Sequence, residues 1–127
     1  MAWFNAPIPQ PDHALRAVKA AIGVRTAIQK LVDELPPQQH LHFGVGIHYG
    51  EAVLGLVGTE KRLEYTAIGD SVNTAKRIQE NSLGGQILIS ATAFGLVKDS
   101  VVANMVEAIQ AKGKREPVDV YEVIGLK

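Results

Sequence analysis

Two polar side chains four residues apart, Asn73 and Arg77, close the stretch Tyr65-Thr-Ala-Ile-Gly-Asp-Ser-Val-Asn-Thr-Ala-Lys-Arg77. If that stretch is helical from about residue 70, the spacing stacks them on one ridge. A neutral amide and a guanidinium so placed could together hold a phosphate and an attacking oxygen. The alternative is a solvated, decorated helix face. Asp70 lies beside them, and an acid there is better explained as a helix cap than as a metal ligand. His40 and His42, two apart on one strand face, could bind a metal with a third ligand, but four histidines and no cysteine make a poor ligand set.

The elements that must position these groups are legible around them. Leu63 to Ile68 is rich in β-favouring residues and reads as a short strand. Gly69 and Asp70 break it, and Asp70 or Ser71 is a good N-cap for a following helix. On that helix Val72, Ala75 and Ile78 form an apolar stripe on a different face from Asn73 and Arg77. Upstream, Pro11 and Asp12 suit the opening of a longer helix. Ala14, Leu15, Val18, Ala21, Ile22, Ile28, Leu31, Val32 and Leu35 repeat at three and four, opposite Arg16, Lys19, Arg25, Lys30 and Asp33. The pattern predicts an amphipathic helix packed on a flat surface, ended by Pro36-Pro37. Its basic residues are interspersed rather than clustered, unlike a helix built for a membrane surface.

His40 to Val57 alternates in part, with Leu41, Phe43, Val45 and Ile47 on one side and His42, Gly44, Gly46 and His48 on the other. Glycines gathered on one face imply a close neighbour, a ligand or another backbone. Gly58 to Arg62 is a polar turn, so His40–Val57 and Leu63–Ile68 read as a hairpin. Leu83-Gly-Gly85 stops the central helix, Gln86 to Ser90 is a strand, and Ser90 or Thr92 starts a short helix through Val97. Val101 to Ala111 and Val118 to Ile124 form a last strand pair around Gly113. The order implies an α+β fold, mainly antiparallel sheet with helices on one face.

Composition narrows the function classes. A chain of 127 residues is one domain, 1–127, with 46% hydrophobic and 20% charged residues, ordinary for a globular protein. Thirteen basic and thirteen acidic side chains cancel, which argues against nucleic acid as a partner and against electrostatic attraction to anionic membranes. The absence of cysteine excludes disulfides and thiolate metal sites and fits a reducing compartment. No apolar run reaches membrane-spanning length, so direct membrane insertion is not expected and a cytoplasmic location is.

Gly44-Val-Gly-Ile-His-Tyr-Gly-Glu51, then Gly58-Thr59, then Tyr65 to Arg77, resemble the signature of the class III adenylyl and guanylyl cyclases. Ala111-Lys-Gly-Lys114 and Val120-Tyr-Glu-Val123 are similar to that family's last two strands. The resemblance runs in order over nearly the whole chain. It implies a ferredoxin-like cyclase core lacking its first strands and helices, so that Met1 is not the start of the domain and the chain is its C-terminal portion.

The resemblance further implies formation of 3′,5′-cyclic AMP and pyrophosphate from ATP, by a complete domain whose active sites straddle a homodimer interface. Matched to the family motif, Asn73 would orient the ribose and Arg77 would stabilise charge building at the α-phosphate. Lys112 would grip the triphosphate, with Lys114 as the alternative. Thr66 stands where many adenylyl cyclases carry an adenine-reading aspartate, and a threonine hydroxyl can accept the same hydrogen bond. Threonine here is similar to the cyanobacterial, bicarbonate-responsive branch and implies adenine rather than guanine. The family's two Mg2+ or Mn2+ ions are held by aspartates that belong upstream of Met1, which implies that this fragment alone is inactive. A catalytically degenerate nucleotide-binding or dimerisation module in signalling is the alternative reading.

Overall fold

Ile87-Leu-Ile-Ser90 is an apolar run with a single polar end, and in the structure, a computed structural model, it becomes a strand (β4) with all four residues buried. A strand buried on both faces needs cover on both, and the remaining elements supply it. The structure describes residues 2–6, 8–39, 43–59, 62–106, 108–109 and 117–127. In chain order these form α1 (His13–Asp33), a 3-10 turn (Pro37–Gln39), β1 (Val45–Ile47), β2 (Val53–Thr59), β3 (Arg62–Ile68) and α2 (Asp70–Glu80). After β4 come α3 (Ala91–Phe94), β5 (Val101–Met105) and β6 (Val120–Leu126).

Four strands form one sheet in the order β1-β4-β6-β5, and β2 and β3 form a separate two-stranded ribbon. β1 runs parallel to β4, with Gly46 opposite Leu88 and Ile47 opposite Ile89. The β4–β6, β5–β6 and β2–β3 pairs are antiparallel. The expected α+β class with mainly antiparallel pairing therefore holds.

The helices, expected together on one face, are divided between two. Ile87 and Ile89 point with Ile47 and Val123 toward Val18 and Ala21 of α1 and Ala93 of α3. Leu88 points the other way and joins Ile78 of α2, Ile109 and Val120. The reason is the pleat: alternate residues of β4 face opposite sides, and an all-apolar strand cannot leave either side in water. Arg25 also ties α1 to the sheet, donating from Nη1 to the Val123 carbonyl at 3.3 Å and from Nη2 to that of Ile124 at 3.1 Å.

Three other expectations are revised. The alternating stretch His40–Val57 is not one strand, because the chain leaves the large sheet after Ile47 and re-enters structure at Val53 in a different sheet. Residues 40–42, with His40 and His42, lie outside the described residues. The hairpin turn is tighter than Gly58–Arg62, since Thr59 already pairs with Arg62. The strand from Val101 ends at Met105 rather than Ala111, with a further bridge between Ile109 and Val118. Among the described residues no helix is long and apolar enough to cross a membrane.

Candidate active site

The strand β3 runs through Gly69 directly into α2, and this unit carries most of the candidate residues. Gly69, not Asp70 or Ser71, occupies the N-cap, so the capping residue has no side chain to bond the first helical amides. Its φ of +145° is a conformation that residues with a Cβ avoid, which is why the reversal from strand to helix falls on glycine. The Gly69 carbonyl accepts from the amides of Val72 at 3.2 Å and Asn73 at 3.3 Å. Asp70 becomes the first helical residue, an acid near the positive end of the helix dipole.

Asn73 and Arg77 lie one turn apart on α2, Asn73 exposed and Arg77 half-buried. The Arg77 guanidinium donates from Nη1 to Glu80 Oε2 at 3.2 Å. That pair is over a third exposed on both sides, so it holds the guanidinium at little energetic cost to its release. Asn81 Nδ2 donates to the Arg77 carbonyl at 2.8 Å and closes the helix end beneath it. The buried face of the helix is held by Ile78 and by Thr74, whose hydroxyl donates to the Asp70 carbonyl at 3.0 Å. Sequence reading missed Thr74 because a threonine between Asn73 and Ala75 gives no sign of burial.

Thr66 lies three residues before Gly69 on β3, paired in register with Gly55, and only its backbone is described. Lys112 and Lys114 lie outside the described residues. The structure thus places Thr66, Asn73 and Arg77 on one strand–helix unit.

What fixes α2 against the sheet is the glycine face of the chain from Gly44 to Gly50. A Cβ on Gly46 would fall 2.5 Å from the Gln79 amide nitrogen and 2.8 Å from the Ala75 carbonyl oxygen. One on Gly44 would overlap the Ser82 side chain, and one on Gly50 that of Ser71. The close neighbour is the same chain: the α2 backbone at Gly46, Ser71 in the first turn of α2 at Gly50, and Ser82, just past the end of α2, at Gly44. Of the ligand or backbone that the pattern allows, it is backbone that lies against Gly46. The signal was present in the sequence, since Gly44 and Gly46 share a face, but it did not say whose backbone would approach.

Among the described residues no group of three or more His, Cys, Asp or Glu side chains could hold a metal ion. The described donors do not fit a metal pair. Remote from this unit, the hydrogen bond from Arg16 holds the exposed Asp12 carboxyl below its usual range. Its Oδ1 accepts from Arg16 Nε at 2.7 Å.

With this geometry in hand, the comparisons with known proteins decide the family. The family model described as the adenylate and guanylate cyclase catalytic domain matches residues 1–125. The chain belongs to that family. It is 34% identical over 131 residues to adenylate cyclase 1 of Rhizobium meliloti (strain 1021), covering 98% of this chain and 19% of that protein. Among solved structures it resembles the adenylyl cyclase CyaB from P. aeruginosa, with a TM-score of 0.88 and 30% identity, over 98% of this chain and 66% of that one. It also resembles the guanylyl cyclase Cya2, with a TM-score of 0.89 and 37% identity, over 98% of this chain and 64% of that one. The cyclase chain therefore spans about a fifth of the length of its Rhizobium relative and about two thirds of each solved domain.

Proposed function

We propose that this chain is the C-terminal portion of an adenylate cyclase catalytic domain, a single unit over 1–127, acting as a homodimer in the cytoplasm. The complete domain would convert ATP to 3′,5′-cyclic AMP and pyrophosphate. The observation that carries the reading is the β3–Gly69–α2 unit, which exposes Asn73 and leaves the Arg77 guanidinium held, among the described residues, by an open ion pair, inside a chain matched to the family over residues 1–125.

In this reading the ribose 3′-oxygen attacks the α-phosphorus as pyrophosphate departs. Asn73 hydrogen-bonds the ribose and limits its orientation, the positional part of the rate enhancement. Arg77 leaves Glu80 to donate to the α-phosphate oxygens as their charge grows. Thr66 accepts from the adenine amino group, and Lys112 neutralises the triphosphate. The Mg2+ or Mn2+ ions that the family uses would supply further charge neutralisation and are assigned to aspartates upstream of Met1. Guanine as the base is the second reading, favoured by the likeness to Cya2, a guanylyl cyclase.

The test is mass-spectrometric detection of cyclic AMP and cyclic GMP after incubation with ATP or GTP and Mg2+ or Mn2+, for this chain and for one extended upstream by the family's metal-binding segment. Cyclic AMP from the extended chain alone supports the reading. Cyclic GMP in its place moves the assignment to guanine, and product from the 127 residues alone refutes the assignment of the metals elsewhere.

A further inference from the structure

The residues between β1 and β2 touch all three helices, and His48 is where that segment is anchored. Leaving β1, His48 places Nδ1 2.9 Å from Ser90 Oγ. Ser90 is buried and caps α3, its Oγ accepting from the Ala93 amide at 3.3 Å. The next residue, Tyr49, stacks its ring on His13 in the first turn of α1, with centroids 5.4 Å apart and planes at 19°. The residue after that, Gly50, lies directly against Ser71 in the first turn of α2, and a Cβ there would also come within 3.4 Å of His48 Nε2. Glu51 and Ala52 then pass beneath Gly69, the N-cap of α2.

We propose that His48 is a positioning residue: through Ser90 on one side and Gly50 on the other it fixes the start of α2, and with it Asn73 and Arg77. The hydroxyl of Ser90 has one proton and two lone pairs, so it serves the Ala93 amide and the His48 ring together. That bond sets the imidazole, and the imidazole sets the path of Gly50 and Glu51 under the α2 N-terminus. The contacts of Gly69 and Ser71 with this segment show why the path matters, because they hold the same turn whose amides are bonded to the Gly69 carbonyl. The consequence for turnover rests on the cyclase reading above, whereas the placement of the helix does not.

Amide hydrogen exchange in the 127-residue chain separates the two. In His48→Leu and Ser90→Ala the amides of Val72 and Asn73 should exchange about fivefold faster relative to the sheet amides of Leu88 and Val123, the change in local opening that one net hydrogen bond allows. His48→Asn, which keeps a polar atom near the Nδ1 position, should stay close to the parent. In an extended chain that turns over, the same variants should lower kcat with little change in KM, and His48→Asn should restore it. Should His48→Leu fail to fold, Ser90→Ala and His48→Asn carry the measurement. Exchange at Val72 and Asn73 that merely follows the sheet amides in these variants would overturn the proposal. So would an Asn variant as perturbed as Ser90→Ala. A parent with no turnover refutes the cyclase reading and leaves the exchange result standing.

Discussion

Replacing Gly46 by alanine puts a methyl group between β1 and α2. Its Cβ falls 2.5 Å from the Gln79 nitrogen, 2.8 Å from the Ala75 oxygen and 2.9 Å from the Gln79 Cα. All three atoms are backbone, so no side-chain rotation relieves the overlap. To restore an ordinary 3.4 Å contact the helix must withdraw by about 0.9 Å. That movement would loosen the packing of Ile78, which is 0% exposed and meets Leu88 and Val120 on the same face. Overpacking of this kind costs about 1–3 kcal/mol. In urea the expected result is a midpoint lowered by roughly 1 M at unchanged slope. Gly23→Ala is the control, because no atom lies within 4 Å of its Cβ in the middle of α1. That change should stabilise the chain by about 0.5–1 kcal/mol, through a better helix former and a less free unfolded state. A Gly46→Ala midpoint equal to the parent's, alongside a raised Gly23→Ala midpoint, would refute the claim that β1 and α2 touch through backbone. If α2 does withdraw, product formation in an extended chain should fall by more than the fraction unfolded explains.

Arg77→Ala in an extended chain should lower kcat by on the order of 10²–10³, the loss of one charge-stabilising donor, and an unchanged rate would remove Arg77 from the chemistry. Glu80→Gln should leave kcat within about threefold of the parent, since an exposed ion pair is worth little. Ile78→Ala should cost about 2–5 kcal/mol by denaturant unfolding, because the side chain is wholly buried between α2 and the sheet. The depressed Asp12 carboxyl contributes stability that is present above its unfolded value of 3.8 and is lost as pH falls through the lower folded value. An NMR titration should show that lowering, and Arg16→Ala should abolish it.

The fold was legible wherever one residue type permits one answer. Proline placed the end of α1, glycine placed the reversal before α2, and the β-rich run before Gly69 is β3. Reading failed where two physical states share one pattern. Alternation from Val45 through Ile47 is strand, yet the same rhythm continuing past Ile47 belongs to a segment whose residues are engaged sideways by Ser90, His13 and Ser71. Periodicity measures which faces are apolar and says nothing about which sheet a strand joins. The division of the helices was hidden for a related reason. Ile87-Leu-Ile announces burial on both faces, but only the sheet order shows that α1 and α2 are the two covers.

The same geometry explains why the polar ridge of α2 can face outward at all. A helix packed on its neighbour normally keeps a layer of side chains between the two backbones, with axes about 8–10 Å apart. Here Gly46 removes that side chain from β1, and the facing residues on α2 are Ala75 and the backbone at Gln79. The close seat lets a helix of only eleven residues be held by Ile78, Thr74 and its glycine contacts, without an apolar stripe wide enough to bury its other faces. Asn73 and Arg77 are thereby left at the surface on a helix whose position is set by backbone contact rather than by flexible side chains. Backbone contact tolerates less displacement than side-chain packing does, and charge stabilisation at a reacting phosphate depends on placement to within a fraction of an ångström. In the proposed reading, Gly46 of β1 and the polar pair of α2 are in that sense one device. A substitution at Gly46 should therefore impair Arg77 without touching it.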